Sequence, residues 1–308
     1  MIRGENILVT GGSGMVGTAL QQVLPGAVYV SSRDCDLTDP KETLRLFKYQ
    51  EPEKVIHLAA RVGGVLANTK YIGDFYNENT SINLNVLEAA RVTGVSKVLS
   101  LLSTCIYPDE VEYPLTEEQI HNGPPHESNY GYAYAKRMLD IQSRAYRQQY
   151  GCDYVTAVPN NLFGENDNFD LQNSHVIPAM IRKIYEATMD SRDVYLWGDG
   201  SPLREFTYSG DLASILVFLL DNYSEECPIN IGNTEEHSIK EVAEIIAELI
   251  KFDGKIIWQT DMPSGQHRKP SDNSKFREIC DVRYTDFGQA LTKTCEWFIM
   301  NYPKIRGI

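Results

Sequence analysis

Several things are scarce in this 308-residue sequence, and each scarcity removes a class of function. No apolar run approaches the roughly 20 residues needed to span a bilayer, so no membrane-spanning segment is expected. Positive charge is in short supply: 29 Lys and Arg stand against 42 Asp and Glu, a formal net charge of −13. That balance argues against nucleic acid or an anionic membrane as a general partner, while a local basic pocket can still hold an anionic small molecule. Cys35, Cys105, Cys152, Cys227, Cys280 and Cys295 form no C-x-x-C pair and no regular framework. Reduced thiols in a cytoplasmic setting are therefore expected, and no metal site. No internal repeat, low-complexity run or flexible linker stands out. The opening MIRGENILVTGG enters a strand at once, so no signal peptide is expected.

What is present reads as alternating strands and helices. Asn6 to Thr10 (NILVT) is a short apolar, β-prone run, followed by Gly11-Gly12-Ser13-Gly14-Met15-Val16-Gly17 and a helix over Val16 to Leu24. A G-x-x-G-x-x-G turn between strand and helix is the context of a dinucleotide site. Its glycines allow the tight turn and the close approach of a pyrophosphate, and the helix N-terminus attracts phosphate. A plain glycine turn is the bland alternative. The second strand, Ala27 to Ser32, runs into Arg33-Asp34. An arginine here suits a 2′-phosphate and favours NADP, the acidic neighbour keeps NAD open, and Asp36 and Leu37 can lie along an adenine.

Further strands follow at Lys54 to Ala60, Lys97 to Ser103 and Cys152 to Pro159. Helices over Pro40 to Tyr49, Tyr71 to Val92 and Ser128 to Tyr150 separate them. Near-continuous apolar strands between helices mean a parallel sheet covered on both faces, with ligands outside the strands' carboxyl ends. Gly11 to Gly17, Arg33, Ala59-Ala60-Arg61, Ser103-Thr104-Cys105 and Asn160-Asn161 all fall there. After Gly164 the pattern changes to a polar stretch, a helix over Ala179 to Thr188 and a strand over Val194 to Gly198. An apolar helix over Leu212 to Leu220 and a strand at Ile229 to Gly232 return to the main sheet. A capped helix from Ser238 to Ile250 (with Glu241 completing a capping box), a strand over Lys255 to Thr260 and a helix over Asp286 to Tyr302 complete the chain. The expected fold is a Rossmann-like doubly wound parallel sheet with a smaller, interleaved C-terminal α/β substrate lobe. The nucleotide domain takes residues 1–164 and about 205–232, and the lobe takes 165–204 and 233–308.

The stretch from Ser103 to Lys136 carries the chemistry. It holds a hydroxyl (Ser103), a thiol (Cys105) and a Tyr-x-x-x-Lys pair, Tyr132 and Lys136, one helical turn apart on one face. An ammonium beside a phenol lowers its pKa from about 10, which suits proton delivery to an alkoxide during carbonyl reduction. The bland reading is an ordinary half-buried tyrosine beside a solvated lysine, and Tyr130 and Tyr134 show how little one match means. Cys105 and His175 each read alone as a structural residue; His121, His126, His237 and His267 are expected at the surface.

With these residues in hand, the sequence resembles the extended short-chain dehydrogenase/reductases, and among them those acting on GDP-bound keto sugars. TGGSGMVG, HLAARVGG, STCIYP, YAYAK, NLFGENDNF, SHVIPAMIRK, WGDGSPLREF and SGQHRKPSD carry the resemblance in order over nearly the whole chain. It implies inversion at C3 and C5 of GDP-4-keto-6-deoxy-D-mannose followed by NADPH-dependent reduction at C4. Ser103, Tyr132 and Lys136 would form the reductase triad, Cys105 the base and His175 the acid of the inversions. Protons beside a ketone are acidified, and a thiol and an imidazole, with ordinary values of about 8.5 and 6.5, suit their removal and return near neutrality. The resemblance places NADP(H) against Gly11, Gly14, Met15, Val16, Gly17, Arg33, Asp36, Leu37, Leu58, Ala59, Ala60, Tyr132, Lys136, Pro159, Asn161, Leu162 and His175. It places the GDP-sugar against Asn161, Lys183, Trp197, Arg204 and Lys269, and implies a homodimer built on the helices over Tyr71 to Val92 and Ser128 to Tyr150. The chain departs from the pattern at Lys183 (Arg in bacterial relatives), Asn160 (commonly Thr) and Glu165-Asn166 (often Pro-His).

Two enzymes of the same family and one non-enzyme are the alternatives. A 4,6-dehydratase places Asp-Glu after its active-site threonine, whereas Thr104 is followed by Cys105-Ile106. A simple 4-epimerase has no need of both Cys105 and His175. A catalytically silent NADP-binding module would be favoured by loss of Tyr132 or Lys136, and both are present.

Overall fold

β1 (Ile7–Thr10) and β4 (Lys97–Leu101) are buried along their whole length, as strands covered on both faces must be. They belong to a parallel sheet ordered β2-β1-β3-β4-β5-β9, with β2 (Val28–Val30), β3 (Lys54–His57), β5 (Asp153–Pro159) and β9 (Ile229–Ile231). The computed structural model that gives this fold describes residues 6–262 and 267–308, so the Ser264–Gln266 part of the SGQHRKPSD motif lies outside the described residues. Every neighbouring pair in the sheet is parallel, and the order reverses between β1 and β3. Such a switch point opens a crevice at the strands' carboxyl ends. One face is covered by α1 (Met15–Val23) and α7 (Ser209–Asn222), with Leu20, Leu212 and Leu216 fully buried there. The other is covered by α2 (Pro40–Gln50), α4 (Ile72–Thr93) and α5 (Tyr130–Tyr150), which bury Phe47, Leu87 and Leu139. The short α3 (Val65–Lys70) precedes α4.

Local chemistry sets these boundaries. Asp39 accepts from the amides of Lys41 and Glu42 to start α2, with Pro40 at its first position. Gly94 and Gly151, both in the left-handed region, end α4 and α5.

The smaller lobe holds a three-stranded sheet, β10-β8-β6, and a two-stranded one, β11-β7. Its elements are β6 (Asn161–Phe163), α6 (Val176–Met189), β7 (Val194–Trp197), β8 (Leu203–Tyr208), β10 (Glu236–Ser238), α8 (Ile239–Ile250), β11 (Ile256–Gln259), α9 (Ser274–Ile279) and α10 (Phe287–Asn301). Of these, α9 packs against β9 of the main sheet. The lobe's core is a separate cluster around Phe163, Phe169, Ile181, Val242 and Phe298. The strands β6, β8 and β10 were not visible in the sequence. At three to six residues with polar sides, they are specified by pairing with each other rather than by their own pattern. β6 and the start of β8 thus pair within the small sheet rather than the main one. The expected capping box at Ser238 is half present: Ser238 accepts from the Glu241 amide at 3.0 Å, but the Glu241 carboxylate turns to His237. His237 is not a surface residue; it is buried and stacks on Phe287 with centroids 3.9 Å apart.

Asn230 of β9 fastens the long excursion between β4 and α5 to the sheet. Its side chain accepts from the Tyr107 hydroxyl at 2.7 Å and donates to the carbonyls of Leu115 and Asp272, each at 2.9 Å. Its amide donates to Glu117 at 2.8 Å. Asn230→Ala takes the acceptor from the buried Tyr107 hydroxyl and the side-chain donors from the Leu115 and Asp272 carbonyls, and is expected to lower stability by about 3 kcal/mol. A urea unfolding midpoint equal to the parent's would refute this.

Candidate functional site

At the carboxyl ends of the main sheet, between it and the small lobe, lies a cleft of about 1760 Å³. That exceeds the roughly 300–1,000 Å³ of a site for one drug-sized ligand. Every residue expected in the cofactor, catalytic and substrate sets lines this one cleft, from Gly11 of the glycine turn to Lys269 near the chain's other end.

The cofactor side is a cradle built from backbone. Gly11 has φ 74°, and a Cβ there would come within 2.8 Å of the Ala59 nitrogen. A Cβ on Gly17 would lie 2.6 Å from the carbonyl oxygens of Gly11 and Gly12. Helix α1 starts with Gly14 at its cap, with no capping side chain and no acid in the first turn. Its amides can therefore meet an anion. At the end of β2, Ser31, Ser32 and Arg33 line the cleft, whereas the Asp34 carboxylate turns back onto Ser31, accepting from its amide at 2.8 Å and its hydroxyl at 2.7 Å. The one acid that could have favoured a free 2′-hydroxyl is thus engaged, and the arginine is presented. The residues fit a dinucleotide with a 2′-phosphate.

The catalytic set is gathered from three elements. β4 ends at Leu101, and Ser103 caps a single 3-10 turn over Thr104–Ile106, its hydroxyl accepting from the Cys105 amide at 3.4 Å. From α5, Lys136 is 3% exposed and donates to the Leu101 carbonyl at 2.7 Å. Burial pushes its ammonium down to about 8. Tyr132 lies one turn earlier, its ring edge-on to Phe75 with centroids 6.4 Å apart. The expectation that Lys136 lowers the Tyr132 phenol is not met. The ammonium is turned onto Leu101, 5.9 Å from the ring centroid, and burial, with the Cys105 sulfur second, pushes the phenol up. Burial likewise raises the Cys105 thiol, against the Ser103 hydrogen bond and the cations of Lys269 and Lys136. His175 caps α6 from the other lobe; water reaches the ring within the cleft, yet surrounding protein and the Arg306 guanidinium hold its pKa low. These directions leave the proton on sulfur and the imidazole neutral, the reverse of the implied starting roles.

On the substrate side, Lys183 lies 5.5 Å from the Trp197 ring centroid and donates to the Tyr195 carbonyl at 3.4 Å. Arg204 is tied to the Leu203 carbonyl at 2.7 Å, and burial lowers both it and Lys269. Asn161 donates to the Glu205 carbonyl at 2.8 Å and so is anchored within the small sheet. The departures at Asn160 and Asn166 are structural in kind. Asn160 is buried in a network with Thr207 and Glu205, and Asn166 adopts φ 63°.

Several residues escaped sequence reading. His57, fully enclosed between Thr10 (2.8 Å) and Asn83 (3.1 Å), is pushed down to about 3 by burial and by Lys136. Arg137 donates to the Ile106 and Gly123 carbonyls, fixing the Cys105 turn from below. Asp167, pushed up to about 7 by burial, keeps one oxygen without a partner. Trp258 and Arg306 line the cleft. His126, expected at the surface, is half-buried in the cleft wall. Only pairwise packing distant in sequence could have signalled them.

Comparison with known proteins agrees with this geometry. The NAD dependent epimerase/dehydratase family matches residues 7–232. A GDP-L-fucose synthase of Dictyostelium discoideum is 44% identical over 98% of both chains. A probable GDP-L-fucose synthase of Drosophila melanogaster is 41% identical over 98% of this chain and 99% of that one. Among solved structures, a GDP-L-fucose synthetase of Naegleria fowleri bound to NADP superposes with a TM-score of 0.94 at 39% identity, covering 99% of this chain and 96% of that one. The chain belongs to the NAD dependent epimerase/dehydratase family, in the group that holds the GDP-L-fucose synthases.

Proposed function

We propose that this protein converts GDP-4-keto-6-deoxy-D-mannose to GDP-L-fucose, inverting C3 and C5 and then reducing the C4 ketone with NADPH. The observation that carries this reading is the convergence of Cys105 and His175 with Ser103, Tyr132 and Lys136 on one cleft, in a chain 44% identical to a GDP-L-fucose synthase. A reductase alone needs the last three; a thiol and an imidazole from opposite lobes add the pair that inversion requires. Bound NADPH supplies the hydride. Tyr132 donates a proton to the C4 oxygen, Ser103 holds that oxygen, and Lys136 orients the nucleotide ribose and carries the charge that favours phenolate once proton transfer begins. Cys105 and His175 exchange protons with C3 and C5. The cradle at Gly11 to Gly17 and Arg33 favours NADP over NAD. Lys183, Arg204 and Lys269 meet the diphosphate, Trp197 the guanine, and Asn161 the sugar.

The nucleotide unit is assigned to residues 1–164 and about 205–232, less β6 and β8, which pair in the small sheet, and the GDP-sugar lobe to the rest. A homodimer through α4 and α5 is supported by exposed Ile72, Tyr76, Tyr130 and Met138 around an apolar groove. The six unpaired cysteines fit a reducing cytoplasm. Among the described residues, no helix is long and apolar enough to cross a membrane.

NADPH oxidation with GDP-4-keto-6-deoxy-D-mannose, with NMR of the product, tests the reaction directly; a product reduced without inversion would sink it. Cys105→Ser is expected to abolish solvent deuterium uptake at C3 and C5 yet keep NADP⁺ reduction by GDP-L-fucose. Tyr132→Phe should cut that hydride transfer by about 10²–10⁴ and spare the exchange. Lys136 is charged below about 8 and neutral above it. Because kcat/KM follows the unliganded enzyme, kcat/KM for NADPH-dependent reduction should fall as pH rises past that value. A profile still climbing there would remove Lys136 from its role. Sedimentation at micromolar protein should show a dimer, and Met138→Glu should shift it to monomer.

A further inference from the structure

The HLAARVGG motif contains a glycine pair, Gly63-Gly64, that no step above uses. The pair is clamped. Asn68, 5% exposed, donates to the carbonyls of Gly63 at 2.7 Å and Gly64 at 3.2 Å. Just upstream, buried Asn79 brackets the Arg61 backbone, accepting from its amide at 2.9 Å and donating to its carbonyl at 3.1 Å. The two glycines then face different neighbours. A Cβ on Gly63 would lie 2.9 Å from Cζ of Phe75, the buried ring that sits edge-on to Tyr132. A Cβ on Gly64 would lie 2.6 Å from the Ser174 carbonyl oxygen, and the Gly64 amide donates to the Asn173 carbonyl at 2.9 Å. Ser174 immediately precedes His175 at the head of α6.

We propose that Gly63-Gly64 is a two-sided wedge: Gly63 sets Tyr132 through Phe75, and Gly64 sets His175 through Asn173 and Ser174. The proposal rests on the reaction assigned above. One rigid dipeptide, fixed to the main sheet's loop, thereby registers the hydride-transfer group against the proton-transfer group of the opposite lobe. Both line the cleft and act as positioning residues, through Phe75 and Ser174. Because the Gly64 neighbour is backbone, no side chain can yield there, and an added methyl must move the loop bearing His175.

The halves separate cleanly in assay. Proton transfer is read as deuterium uptake at C3 and C5 of GDP-4-keto-6-deoxy-D-mannose, and hydride transfer as NADP⁺ reduction by GDP-L-fucose, which needs no inversion. Gly64→Ala is expected to slow uptake about tenfold or more while hydride transfer stays within about threefold, and Gly63→Ala to do the reverse. Parental rates in both variants, or equal losses in both halves, would overturn the wedge. If Gly64→Ala does not fold, Asn68→Ala loosens the pair without adding an atom and should slow both halves; unchanged rates there overturn it equally. A readout free of catalysis separates this proposal from the assigned reaction: the His175 imidazole resonances should shift in Gly64→Ala and not in Gly63→Ala. Parental protein inactive in both halves would defeat the reaction, whereas unmoved His175 resonances would defeat the wedge.

Discussion

One buried ammonium organises the site. Lys136 has almost no exposure, and it donates a hydrogen bond to the last carbonyl of β4. Its pKa falls from 10.5 to about 8, on the order of 3 kcal/mol against its charge. A charge kept at that cost fixes much around it. It pins α5 to the end of β4, which sets Tyr132 one turn away and presses Gly131 onto the start of α4, where a Cβ would lie 2.2 Å from the Ile72 carbonyl oxygen. It helps force His57 into the neutral form, so that Thr10, His57 and Asn83 make an uncharged network under the cleft floor. It is also one of two cations that oppose the burial of the Cys105 thiol. The residues proposed for the reduction and the thiol therefore share one electrostatic environment and cannot be tuned independently.

How much of this was legible depended on how local the signal was. The glycine turn, the Tyr132–Lys136 spacing and the long apolar strands are contiguous, and the structure places them as the pattern indicated. Asp34 beside Arg33 left the cofactor choice open because nothing in sequence says that its carboxylate folds back onto Ser31. The small lobe was less readable. β6, β8 and β10 exist because Asn160, Glu205 and Ser271, more than 40 residues apart at the closest, meet in one buried network. His237 reads as a surface histidine because its stacking partner, Phe287, is 50 residues away. Arg137 sits next to Lys136 in plain view, yet its bonds to Ile106 and Gly123 depend on a turn that no local pattern announces.

The phenol of Tyr132 shows what spacing alone cannot supply. An i, i+4 lysine was expected to lower its pKa, but proximity along a helix is not proximity of charge. The ammonium prefers a carbonyl lone pair at 2.7 Å over a ring centroid at 5.9 Å, and desolvation then decides the phenol's direction. A protonated phenol is nonetheless the form that the proton-donor role proposed for Tyr132 requires.

The same reasoning bears on the inversions. A neutral thiol with a neutral imidazole and a thiolate with an imidazolium hold the same number of protons; they differ by one proton moved from sulfur to nitrogen. Burial of Cys105, and burial of His175 with the Arg306 charge second, both favour the neutral pair. Forming the ion pair therefore moves a proton against the local field but changes neither the net charge nor the proton count of the cleft. In the proposed reaction each inversion takes a proton from one face of the sugar and returns one from the other, which would shuttle the pair between these two forms. The groups belong to different lobes, Cys105 to the turn after β4 and His175 to the head of α6. Their relative placement, more than either pKa, governs whether a proton leaving one face is matched by one arriving at the other.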